Sequence, residues 1–179
     1  DVVVASGWGK FISIFPNVST PGSFDAGSFA ARVDIAVGKS PSGVALGDLD
    51  GDGLLDLVFV SGEDNTVSAL RNIGRSGNIT TGSFAPAVSF HTCLYPSSVV
   101  IGDIDGDGKP DLAVASQGQL SLFQNRIKSS ETSQRTRYIT DKSTQPKSMS
   151  EAGTPGETAQ SGMFATDSFA PKVDFAFNG

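Results

Sequence analysis

Two nine-residue stretches concentrate the groups that could do chemistry. Asp48, Asp50, Asp52 and Asp56 occupy positions 1, 3, 5 and 9 of the first, and Asp103, Asp105, Asp107 and Asp111 occupy the same positions of the second. Four carboxylates drawn together repel by about 1 kcal/mol per pair at roughly 4 Å in water, and several-fold more where partly buried. A hard divalent cation reverses that sign. Calcium takes about six to eight oxygens in flexible geometry, which suits loop carboxylates supplemented by a backbone carbonyl and water. The expected ligands are therefore Asp48, Asp50, Asp52 and Asp56 with the Leu54 carbonyl, and Asp103, Asp105, Asp107 and Asp111 with the Lys109 carbonyl. Gly51, Gly53, Gly106 and Gly108 would let each loop curl round its ion, since glycine takes positive φ without a Cβ clash. An EF-hand opens with the same residues, but it needs a bidentate Glu at loop position 12 and flanking helices. Here that position holds Phe59 and Val114, and the valine-rich flanks read as strands.

The remaining residues assemble no catalytic set. His91 is the only histidine and Cys93 the only thiol, and a metal or nucleophile pair built on them lacks further partners; they read as core or edge packing. No Ser/His/Asp set, catalytic carboxylate pair or phosphate loop is present, so the expectation is a protein that is not an enzyme. The net charge is −6, but eight acids lie in the two loops, and without those eight the chain would carry +2. Two Ca²⁺ ions would bring −6 to −2. A nucleic-acid partner is disfavoured, because phosphate backbones are bound by basic surface. No apolar run approaches the roughly 20 residues of a membrane span, and any export signal is expected outside these residues. Trp8, in a turn, reads as packing rather than as a platform for a sugar, and the sequons at Asn17 and Asn78 read as polar turns.

The elements that must position the aspartates follow from a repeat. Gly47 to Leu57 returns as Gly102 to Leu112 after a step of 55, and Ser28-Phe-Ala-Ala returns as Ser83-Phe-Ala-Pro at the same step. Asp1 to Ser6 aligns with Asp56 to Ser61 and Asp111 to Ser116, so Asp1 stands where a third acidic loop would end. Units of approximately 1–55, 56–110 and 111–179 result, making one domain over 1–179. The third landmark, at Phe169, is late by about 30 residues. The excess is a polar insertion over approximately 126–166, read as a solvated surface loop.

Within the units, apolar runs at 42–46 and 98–101 lead into the loops, and runs at 57–60 and 112–115 leave them. More alternating strands are expected at 11–15, 66–70 and 120–123, with a fourth kind at 33–37, 88–90 and 173–177. With 21 glycines and 9 prolines punctuating such short runs, the chain is expected to be all-β. Four antiparallel strands per unit is a β-propeller blade, giving about three blades.

The string Val44 to Val60, followed by Asn65 to Asn72 and Ser83 to Pro86, resembles the FG-GAP/VCBS repeat of integrin α-subunit propellers and many bacterial surface proteins. That resemblance covers all but the insertion. It implies blades with calcium in the loop between a blade's first two strands, at two sites here, on a secreted or cell-surface scaffold for adhesion or protein–protein contact. The alternatives are a lectin-like propeller that binds glycans and the non-catalytic propeller of a larger secreted enzyme. About three blades cannot close a ring of four to eight, so either the chain belongs to a longer protein or copies of it complete the propeller.

Overall fold

The computed structural model describes residues 1–38, 40–74, 78–127, 164, 168–169 and 172–176. Every regular element among them is a strand, in the order β1 (Val2–Ala5), β2 (Phe11–Phe15), β3 (Val33–Ala36), β4 (Pro41–Gly47), β5 (Asp56–Ser61), β6 (Thr66–Leu70), β7 (Val88–His91), β8 (Ser98–Gly102), β9 (Asp111–Ser116), β10 (Gln119–Phe123) and β11 (Val173–Ala176). They form three antiparallel meanders: β1-β2-β3, β4-β5-β6-β7 and β8-β9-β10-β11. These are one three-stranded and two four-stranded propeller-like blades. The polar insertion expected over 126–166 lies outside the described residues except for Arg126, Ile127 and Phe164.

Alternation along the middle strands explains how the blades stack. Leu57 and Phe59 of β5 point to one side and join Ile12, Ile14 and Ile35 of the first blade. Val58 and Val60, with Val67 and Ala69 of β6, point to the other side and join Val99, Leu112, Val114 and Phe123 of the third. Side chains reverse at every residue along a strand, so a sheet covered on both faces needs apolar residues in succession. All six residues of β5 are accordingly buried.

The inner strands β4 and β8 lie close. A Cβ on Gly43 would meet Ser97 O and Ser98 Cα at 2.9 Å, so only glycine fits. Beside it the Ser42 hydroxyl donates to Pro96 O at 3.1 Å. After β2, β6 and β10 an asparagine bridges to the Phe-Ala landmark, as Asn17 to Phe29, Asn72 to Phe84 and Asn125 to Phe169.

One expectation fails in the first hairpin. Trp8 does not pack: its relative exposure is 102%. It sits in the turn after β1, where the chain reverses beyond the end of the paired strands, and no described blade reaches it. His91 ends β7 exposed, whereas Cys93 is buried with Ser121 Oγ at 3.4 Å and Lys172 Nζ at 3.7 Å from its sulfur.

Candidate metal centre

Each aspartate loop joins the first two strands of a four-stranded blade, β4 to β5 and β8 to β9. Local chemistry holds the loops in one shape. The Asp48 carboxylate accepts from Gly51 N at 2.8 Å, Asp52 N at 3.1 Å and Gly53 N at 2.9 Å. Asp103 accepts from Gly106 N at 2.8 Å and Gly108 N at 2.9 Å. These bonds require tight reversals: φ is 76° at Gly51, 88° at Gly53, 81° at Gly106 and 84° at Gly108, values that a side chain resists. Asp50 Oδ1 accepts from Asp52 N and Asp105 Oδ1 from Asp107 N, at 3.2 and 3.1 Å. Asp52 and Asp107 in turn accept from Leu54 N and Lys109 N, both at 2.9 Å.

The ninth position anchors each loop to its blade. Asp56 is fully buried; its two oxygens accept from Leu49 N at 2.9 Å and Asn72 N at 2.8 Å. Asp111 does the same with Ile104 N at 3.0 Å and Asn125 N at 2.8 Å. Asp1 accepts from Asn17 N at 2.7 Å, which places it at the same point of the first blade. Burial pushes the Asp56 carboxyl up to about 6, and the neighbouring Asp50 and Asp52 charges add to the rise, while the two amide bonds oppose it. The group is held where its charge is costly unless a cation shares the space.

The structure brings Asp48, Asp50 and Asp56 together, with one oxygen of each within 4.8 Å of the others, and likewise Asp103, Asp105 and Asp111. Two oxygens on a common calcium, each roughly 2.3–2.6 Å from it, are at most about 5 Å apart, so both sets fit that ion. The donors are carboxylate oxygens throughout, the chemistry that hard cations select. Asp52 and Asp107 stay in the loops but outside these triads. For Leu54 and Lys109 the contacts are made by the amides.

Two side chains that the sequence did not single out reach into the loops from the residue following the third strand. Arg71, after β6, donates through Nε to Asp50 Oδ2 at 2.5 Å and through Nη2 to Asp52 Oδ2 at 3.1 Å. Partial burial pulls the guanidinium pKa down, but these bonds more than offset it and the net shift is upward. Gln124, after β10, donates through Nε2 to Asp105 Oδ2. The asparagines beside them were missed as well. Asn72 Nδ2 donates to Leu55 O at 3.0 Å. Buried Asn125 donates to Pro110 O at 3.0 Å and, across the blade interface, to Leu49 O at 2.8 Å. The available signal was their recurrence, one per repeat just past the third strand.

The FG-GAP-like repeat family model matches residues 55–114, from the end of the first aspartate loop through the second loop into β9. No curated protein matches the chain.

Proposed function

We infer that this chain, whose residues 55–114 are an FG-GAP-like repeat, is a calcium-binding, non-enzymatic scaffold of propeller blades that works by contact with a protein at a cell surface or outside the cell. What carries the reading is the pair of carboxylate triads at the same place in two successive blades. One such cluster would be an acidic turn. Two, held by matching amide bonds around positive-φ glycines, are a repeated device. Asp48, Asp50 and Asp56 hold one ion and Asp103, Asp105 and Asp111 the other. Asp52 and Asp107 and the Leu54 and Lys109 carbonyls fill remaining positions, and water supplies the rest.

The ions serve structure. Each bound cation cancels repulsion among carboxylates at the junction of two strands, and the first loop also touches the neighbouring blade through Leu49. Binding of an ion to the folded state alone raises stability by mass action, about 2.7 kcal/mol at a hundredfold excess over Kd. The melting temperature is therefore expected to fall in EDTA and to recover when calcium is restored in excess. An unchanged melting curve in chelator removes the metal from the reading. Contact partners would be proteins; the fully exposed Trp8 favours a glycan as the second reading, because exposed aromatic faces stack on sugars. A glycan array with and without calcium separates the two.

A further inference from the structure

The two metal loops match in backbone, in aspartate spacing and in local formal charge, yet they differ in what touches their carboxylates. In the first, the Arg71 guanidinium bonds Asp50 and Asp52 at 2.5 and 3.1 Å. In the second, the same place in the blade holds Gln124, a neutral amide, on Asp105. The second loop contains its own cation, Lys109, where the first has Leu54. Four aspartates and one base therefore give each loop −3. Lys109 forms no ion pair among the described residues, so the difference lies in contact and not in net charge.

We propose that Arg71 is a resident counter-cation of the first loop, making the two calcium sites unequal: the second loop fills first, and the first fills only when Arg71 gives way. The proposal rests on the calcium reading above. A calcium ion that uses Asp50 Oδ2 must break the shortest ion pair of the loop. One that uses Oδ1 sits beside a guanidinium whose charge opposes it. Both routes weaken the first site. Arginine suits the role because its planar fork spans two carboxylates and it does not deprotonate. Without calcium, Arg71 relieves the repulsion that the ion would otherwise relieve. The first loop also bonds the third blade through Leu49 O and Asn125. Arg71 thus keeps the loop beside the blade 2–3 interface ordered before that site fills.

The test is calorimetric titration of the full chain with calcium chloride. Wild type is expected to show two steps whose affinities differ at least about tenfold, equivalent to about 1.4 kcal/mol. Asp103→Asn should remove the tighter step. Arg71→Gln should bring the weaker step to within about threefold of the tighter one and leave the latter unmoved. The reverse exchange, Gln124→Arg on an exposed face, should weaken the tighter step by about tenfold, and it keeps the test open if Arg71→Gln fails to fold. Two equal sites in wild type, an unchanged separation in Arg71→Gln with Gln124→Arg silent, or loss of the weaker step in Asp103→Asn would each overturn the proposal. If no protein takes up calcium, the metal reading itself fails and Arg71 is a structural ion pair only.

Discussion

At the scale of the residue, the buried ninth aspartate bears most on stability. Asp56 accepts one amide on each carboxylate oxygen and is shut off from water, so both oxygens must be acceptors. Asp56→Asn keeps the volume but turns one acceptor into a donor, facing either Leu49 N–H or Asn72 N–H. An amide left buried without a partner costs about 1–3 kcal/mol. The expected result in EDTA is a fall in the urea midpoint that, multiplied by an unchanged slope, corresponds to that loss. In calcium the loss should be larger, because a ligand is gone as well. Equal midpoints for Asp56→Asn and wild type in EDTA would show that the two amide bonds do no more than offset the cost of burying the Asp56 charge beside Asp50 and Asp52. The aspartates and their glycines were legible because the chemistry demands those types at that spacing. Arg71 was not, because nothing in the chain says that the residue following β6 lies beside a loop about 20 positions earlier. That adjacency is made by antiparallel pairing of β5 and β6.

At the scale of the element, strand positions were read to within a residue or two. The extended ends are instructive. Pro41, Gly47, Asp56 and Ser61 belong to the strands, although none is apolar enough to mark itself: ladder pairing of Gly47 with Asp56 and of Pro41 with Ser61 carries them in. Which face of each strand is covered was less legible. Near-continuous apolar runs fit all the middle strands equally, yet Val58 is buried while its repeat mate Ala113 is only partly so. The loop residues Leu49 and Ile104 give the sharpest contrast. They occupy the same position of two repeats, and Leu49 is 2% exposed whereas Ile104 is 51% exposed, because a third blade covers the second and no described blade covers the third. Leu49→Ala should therefore cost about 2–5 kcal/mol, the usual range for truncating a buried leucine. Ile104→Ala in the monomer should stay within about 0.5 kcal/mol, as surface changes do. Chemical denaturation of both variants at low protein concentration measures the pair, and equal losses would mean that the blades do not stack as described.

At the scale of the whole molecule, the two outer faces are unfinished versions of the inner ones. Val2 and Val4 on the first blade match Leu57 and Phe59, which are buried; Val100 and Val173 on the third match Ala45 and Val88, which pack into the core between blades 2 and 3. Together with Ile104 these side chains leave apolar surface at both ends of the stack, and Ile104 and Val173 also line an open cleft with Leu122 and Phe123. A sheet face built to be covered drives association when left bare, and head-to-tail contact between unlike faces propagates toward a ring. The first blade is less suited to this than the others, since β1 is the edge of a three-stranded sheet with no counterpart of β4 or β8 among the described residues. Association should accordingly be weak and concentration-dependent. Sedimentation velocity is expected to show species heavier than the 18.5 kDa chain growing with concentration, and Val100→Asp with Val173→Asp should return them to monomer by placing charge on the third-blade face. The reach of the effect distinguishes this from general stickiness: the double variant should keep the calcium-dependent melting shift of wild type, because the altered side chains are not ligands. A chain that stays strictly monomeric at high concentration, or one that associates equally well with both aspartates in place, would mean that these faces do not seek blades of the same chain.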